Sequence, residues 1–457
     1  MFFKKNFFLA WFFILPFLSF ADTQNLTWDQ CVDLALKNNP SLKAKEHEVK
    51  SSGFGITKAR AGYFPDLTLS GTLKRFEDTS STSTTGVNTS QTYTSKATLE
   101  IFSGFETVAS VHEAEATLHK SESSLSQIKV NLLADLRTTF SEALYAQENI
   151  ILSEKIEKRL KKNASFLKLR YEGGLEARWA YQKAQADWKE ALWEAEKAQQ
   201  ELKVTQKKLF KVLGLASHSV ITRVSSKPVV ISSLRDGIAS ASPRNDGGDD
   251  MDVNFRVSGD FTVPKLVTLE NLRNTVLQNH SSLAFQYFQR ELTRATIEKE
   301  ESDFWPTVSL FADYSIKGTN SNPNKKAWSY GLEFSWALFS GLETYAATRA
   351  AKENYAKEDF TLQNTVLSID SDLKETYTNY KFAKEKVEIK KSQLEAALER
   401  AAVVEEEYSS GLKNFLDWEQ SQSILTQTER QYLVAQRDAL NALASFEKAQ
   451  GKELSRK

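Results

Sequence analysis

The chain has 457 residues, 26% of them charged and 41% hydrophobic, and its 59 basic residues balance its 59 acidic ones. Zero net charge offers no electrostatic footprint for nucleic acid, and five histidines with one cysteine exclude a disulfide framework and leave little for a metal cluster. Only 8 prolines and 18 glycines interrupt this length, so the regular elements must be long.

Residues 1–21 read as a secretory signal. Lys4 and Lys5 form its positive start, Phe7 to Phe17 its apolar stretch, and Ser19-Phe20-Ala21 a small-x-small cleavage site. Pro16 within the run argues against a membrane anchor, and removal leaves a net charge of −2. No later stretch supplies the roughly 18 apolar residues of a spanning helix. Cys31 lies too far from the cleavage site to be a lipidated first residue, and is expected to be a small buried apolar side chain.

Thr27-Trp28-Asp29-Gln30 is a capping box that opens a helix, predicted to run until the chain turns extended before Pro65. A β-hairpin follows over about 66–102. Leu67, Leu69 and Leu73 alternate with polar residues, as do Tyr93, Ala97, Leu99 and Ile101, with Gly71 and Ser95 as gaps in the apolar face. The Ser/Thr-rich run from Glu77 to Gln91 reads as a solvated loop. Ser103-Gly104-Phe105-Glu106 reads as a capping box opening a long helix, which turns at a tip over 171–176 and returns.

Residues 216–266 change character. They hold Pro228, Pro243, Pro264 and an acidic run at 244–252, which lacks the alternating oxygen ligands of a calcium loop and reads as a linker.

Residues 267–457 repeat the pattern of 22–215. Thr268 is a plain N-cap, and a hairpin over 307–339 follows Pro306, with Lys317 to Lys326 as its loop. Its first strand alternates Val308, Leu310, Ala312, Tyr314 and Ile316 with Ser309, Asp313 and Ser315. The strongest alternation lies in its second strand. Trp328, Tyr330, Leu332, Phe334, Trp336 and Leu338 share one face, while Ser329, Gly331, Glu333, Ser335 and Ala337 share the other. An apolar face bounded by aromatics suits lipid contact in a membrane barrel, which leaves Asp66, Lys74, Lys96, Glu100, Asp313 and Glu333 towards the lumen. Four such strands fall short of the roughly eight a barrel needs, so several chains must share one.

Ser340-Gly341-Leu342-Glu343 repeats the junction. Val366, Leu373, Tyr380, Val387, Leu394, Ala401 and Tyr408 then recur every seven residues along a helix of ~100 Å, as in a coiled coil. The tip spans 408–413, and the returning helix offers Trp418, Leu425, Tyr432, Ala439 and Phe446. A shift of 241 carries Leu36–Leu42 onto Leu277–Leu283, and a shift of 237 carries Phe102-Ser103-Gly104 onto Phe339-Ser340-Gly341 and Gly174-Leu175 onto Gly411-Leu412. A register held this long indicates a tandem duplication.

Two repeats, Pro-led strands, Phe-Ser-Gly junctions and Tyr-x-x-Gly-Leu tips together resemble the TolC-like outer-membrane efflux proteins, the outer membrane factors. The resemblance covers all of the chain except the signal and the linker. It implies an α+β membrane protein, a homotrimer whose strands form one 12-stranded barrel, continued by a helical coiled-coil barrel across the periplasm of a Gram-negative bacterium. Such proteins are passive exit ducts for an inner-membrane pump, in efflux or type I secretion. They are joined to it by a periplasmic adaptor that docks on the tips, here Gly174, Leu175, Gly411 and Leu412.

The resemblance also places Lys413 and Asp417 at the periplasmic entrance, with Gln420 where many relatives carry a second aspartate. Ala180, the counterpart of Asp417 in the first repeat, contributes no second ring. An exposed Lys413–Asp417 pair is the plain alternative. No nucleophile elbow, phosphate loop or histidine pair suggests an enzyme or a cofactor. A trimeric coiled-coil surface protein without a conduit is the competing class, though its strands would sit at one terminus. The residues do not name the cargo.

Overall fold

The computed structural model describes residues 24–78, 86–215, 255–259, 269–319 and 322–451. The signal, the acidic run and Thr268 lie outside them. The elements in order are β1 (Gln24–Thr27), α1 (Trp28–Asn38), α2 (Pro40–Arg60), a short 3-10 turn (Ala61–Tyr63), β2 (Asp66–Asp78), β3 (Gly86–Ser103), α3 (Glu106–Glu172) and α4 (Arg178–Leu213). There follow β4 (Phe255–Ser258), α5 (Leu269–Asn279), α6 (Ser281–Ser302), β5 (Thr307–Thr319), β6 (Asn322–Ser335), α7 (Glu343–Ser409) and α8 (Phe415–Ala449). Among the described residues, no helix is long and apolar enough to cross a membrane.

Two helices set the length. α3 and α7 each have 67 residues, ~100 Å of helix, and no partner in the chain matches that alone. The tip-side half of each is paired by a returning helix, α4 or α8, and the sheet-side half by α2 or α6. The single helix expected before each hairpin is therefore two. The break has a local cause: Asn39 accepts from the Ser41 and Leu42 N–H groups at 2.9 and 3.2 Å, and Pro40 occupies the first helical position.

The broken helices are clipped to the returning ones. Asn39 Nδ2 donates to the Val212 carbonyl at 2.9 Å, fixing the start of α2 to the end of α4. In the second half His280 takes the place of Asn39. Its Nδ1 accepts from the Ser282 N–H at 3.1 Å, and its ring bonds the Ala449 carbonyl at the end of α8. Around the first join, Cys31, Ala35, Leu136, Leu209 and Leu213 form a closed core, and Val257 of β4 seals it. Cys31 is fully buried, and burial raises its thiol pKa to about 11. β4 pairs in parallel with β1, so the segment read as a linker carries a strand.

The heptad packs as expected from Leu373 to Tyr408, but Val366 is 37% exposed. The halves are also tied to each other, by Arg159 on buried Glu429 at 2.8 Å and by Ser141 on Asn441 at 2.7 Å.

The four long strands form one antiparallel sheet in the order β2-β3-β5-β6. Register puts Leu67 opposite Ala97, Ala97 opposite Ala312 and Ala312 opposite Tyr330, so the apolar alternations of all four strands share one face. Lys96, Asp313 and Ser329 line up on the other, where the Ser329 hydroxyl bonds the Asp313 carboxylate. The gap at Gly71 lies under the Tyr93 ring opposite, and Gly331 lies under Phe311. A bulge between Glu100 and Phe102 shifts the register at the end of β3.

Several boundaries differ from expectation. The strands run further from the helices than expected, with 86–91 in β3 and Lys317, Gly318 and Thr319 in β5, because ladder pairing holds polar residues as well as apolar ones. At the helical end β6 stops at Ser335, so Trp336 and Leu338 lie past the strand. The Ser-x-x-Glu junctions are not capping boxes. Gly104-Phe105 and Gly341-Leu342 are left-handed pairs, which start each helix at the glutamate and leave Ser103 and Ser340 beside the Thr107 and Thr344 hydroxyls. An added Cβ on Gly104 would meet the Ser302 carbonyl at 2.4 Å, so glycine is required there by space as well as by φ.

His280 makes the second join sensitive to acid. Burial holds its pKa below the ordinary value of 6.5, against the opposing pull of the Ala449 carbonyl and Asp372. Glu375 of α7 and Lys448 of α8 line the same cavity. A depressed histidine contributes stability that is complete above the ordinary value and is lost as pH falls through the folded one. Chemical denaturation followed between about pH 8 and 5 should show wild type losing stability more steeply than His280→Asn, which restores the clip found at Asn39. Superimposable pH profiles would remove His280 from this role.

Candidate functional site

The tips farthest from the sheet are the candidate site. Each long helix ends in a reversal that glycine makes possible. Gly174 and Gly411 have φ of 72° and 85°, and the Leu175 and Leu412 N–H groups bond back to the Arg170 and Glu407 carbonyls at 2.8 Å. The following leucines do not fold back onto their own hairpins. Leu175 is 71% exposed and Leu412 78%.

Behind these exposed ends the two tips are fused into one body. Tyr408, 2% exposed, donates its hydroxyl to Glu176 Oε2 at 2.6 Å, linking the second tip to the first. The Arg170 guanidinium lies 4.7 Å from the Tyr408 ring centroid, and Trp418 stacks on that ring at 5.0 Å. Phe415 and Trp179 continue the cluster, with ring centroids 5.2 Å apart. Burial first, and then the Glu176 carboxylate, push the Tyr408 phenol far above its ordinary range, so it is a permanent donor. Tyr171, its counterpart in the first repeat, stacks on Tyr181 instead. The sequence pairs the two tyrosines as equivalents but carries no sign of a contact spanning more than two hundred residues.

The proposed entrance residues lie beside this cluster. Asn414 caps α8 and accepts from the Asp417 N–H at 2.9 Å, which puts the half-buried Asp417 carboxylate in the first turn, where the helix dipole favours an anion. Lys413 precedes the cap, exposed, and makes no salt bridge to Asp417, so the plain alternative of a surface pair is not formed. Gln420 is exposed one turn further on, and Ala180 is fully buried in the tip cluster. Among the described residues no group of histidines, cysteines and carboxylates is arranged to hold a metal.

The outer membrane efflux protein signature matches residues 31–215 and 272–452. The chain belongs to the outer membrane efflux protein family. Nodulation protein T of Rhizobium leguminosarum bv. viciae is 21% identical over 408 residues, 87% of this chain and 76% of that protein. The alkaline protease secretion protein AprF of Pseudomonas aeruginosa is 24% identical over 176 residues, only 38% of this chain and 37% of AprF. The fold matches the outer membrane protein VceC of Vibrio cholerae with a TM-score of 0.71 at 16% identity, over 93% of this chain and 96% of VceC. It matches the Campylobacter jejuni CmeC outer membrane channel with a TM-score of 0.74 at 13% identity, over 94% and 87%. Membership of that family makes the chain an outer membrane efflux protein. The family consists of channels rather than enzymes.

Tyr408→Phe removes one hydrogen bond to a carboxylate and should cost about 1.5–3 kcal/mol. Because that bond joins the two tips, limited proteolysis around 171–178 should accelerate in the variant. An unchanged cleavage rate and unfolding midpoint would show that stacking alone holds the tips together.

Proposed function

We propose that three copies of this chain close a single barrel of twelve strands, four from each, and form a passive duct completed by a periplasmic adaptor and an inner-membrane pump. One observation carries the reading: a four-stranded sheet with a mainly apolar face and, among the described residues, unpaired edges at β2 and β6. No such edge can stand in lipid, and antiparallel pairing with further copies removes it. The apolar residues Trp328, Tyr330, Leu332 and Phe334 then meet lipid, with Trp336 and Leu338 at the membrane rim. Their 50–78% exposure in one chain suits that role.

The doubled order of elements, with 67-residue helices in both halves, supports a tandem repeat over 22–215 and 267–457 joined through 216–266. Hairpins lodged inside each repeat favour a duct over a surface fibre.

The adaptor docks on the tips. Leu175 and Leu412 gain little from water, and burial against a partner would stabilise each by about 1.5–3 kcal/mol. Changing both to Asp should leave the outer-membrane level intact while abolishing adaptor crosslinking and export. Export that survives would place docking elsewhere. Asp417 acts at the entrance, where symmetry-related carboxylates attract cations. Asp417→Asn should then lower cation preference in single-channel recordings, and unchanged selectivity with the assembly intact would confine Asp417 to its helix-terminal position.

A further inference from the structure

α3 and α7 are equally long, but the single chain surrounds only one of them. α3 lies against α2 and α4 of its own repeat and also against α6 and α8 of the second. Among the described residues, α7 packs on α5, α6 and α8, all from its own repeat. The seam inside the chain, where α3 meets α6 and α8, is fastened by polar and ring contacts. His119 lies on Phe288 with ring centroids 5.0 Å apart, and the Lys120 ammonium is 5.5 Å from the Phe285 ring centroid. The Ser141 hydroxyl donates to Asn441 Oδ1 at 2.7 Å, and Arg159 bonds Glu429 at 2.8 Å.

The duplication gives each of these positions a counterpart on a flank of the chain. A shift of 237 takes α3 onto α7 and α4 onto α8, and a shift of 241 takes α2 onto α6. On the flanks Phe54, Phe360 and Leu367 are 69–75% exposed, whereas their inner-seam counterparts Ala295, Ser123 and Val130 are 3–8% exposed. Positions closed inside the chain are thus large, apolar and open on its two sides.

The flanks differ from the inner seam in matched pairs. The counterparts of Arg159 and Glu429 are Ala396 and Leu192, so both charges are lost together. Those of Ser141 and Asn441 are Thr378 and Val204. Phe285, on the stripe of α6 that faces α3, corresponds to Ala44, while Ser123, one turn from Lys120, corresponds to Phe360. Bulk has crossed from one side of the seam to the other. Flanks meeting water or an unrelated protein would have no reason to change in step. Within one chain the helices neighbour one another in the order α4-α3-α8-α7, which puts Leu192 and Ala396 at opposite ends. A second copy brings them together.

We propose that α7 of each copy packs on α2 and α4 of the next in the register of the inner seam, with apolar contacts where that seam is polar. Phe360 meets Ala44, Thr378 meets Val204 and Ala396 meets Leu192. The proposal rests on the shared-barrel reading and names the surfaces that close it. It also gives each seam an identity. An inner face set against an outer one would leave Arg159 or Glu429 buried against Leu192 or Ala396 without its partner charge, and that cost excludes the wrong pairing.

Cysteine crosslinking of the full-length protein in membrane fractions tests the register, and the fully buried Cys31 does not compete. Thr378→Cys combined with Val204→Cys, treated with a short bismaleimide, should give species of two and three chains on a denaturing gel. Each substitution alone should give none. A double variant that stays as single chains on that gel overturns the proposal, and so do linked chains from either single substitution. A charge exchange gives a second readout. Leu192→Glu should release single chains from the particle, and adding Ala396→Arg, which writes the Arg159–Glu429 pair into the outer seam, should restore it. No effect of the first change, or no restoration by the second, also overturns the pairing. The particle mass of the unmodified protein reports the shared barrel separately, and single chains there would overturn that reading itself.

Discussion

Everything in this molecule answers to the unpaired edges of one sheet. β2 and β6 each present a row of unpaired backbone groups, and the face they bound is apolar across all four strands. Water would tolerate the edges but not the face. Lipid would tolerate the face but not the edges, since each unpaired peptide group there costs several kcal/mol. Under the proposed function, closure with other copies satisfies both. That demand passes down the chain, because each strand continues into a helix and helices leaving a closed ring must themselves form a ring.

The helices meet the demand by splicing. A 67-residue helix has no single partner of its length, so two shorter ones stand beside it end to end. The splice is held by polar contacts of Asn39 with Val212 and of His280 with Ala449. Gly214 and Gly451 adopt φ of 72° and 59° at these points, where an added Cβ would strike Asn38 or the His280 ring. The same plan therefore carries a permanent clip in one half and a titratable one in the other.

Much of this was legible in the residues. Alternation revealed the strands because the two faces of the sheet carry opposite polarities, the Thr27–Gln30 capping box formed as written, and the missing prolines and glycines foretold the long helices. The errors have physical causes. Asn39-Pro40 carried the signal for a helix break, but the helical propensity around it masked the break. Ser103 and Ser340 matched a capping pattern that the left-handed residues after them annul. The Ser/Thr-rich outer strand ends looked like loops, since composition says nothing of ladder pairing. β4 and the Tyr408–Glu176 bond depend on partners far away in sequence, and no local pattern encodes them.

The central claim is that the sheet is complete only when shared. The mass of the detergent-solubilised protein, measured together with its far-ultraviolet β signal, tests it directly. The account predicts a particle of three chains, each derived from the 51.7 kDa polypeptide, with the β signal lost whenever the particle is dissociated. A stable single chain that keeps its β signal would contradict it.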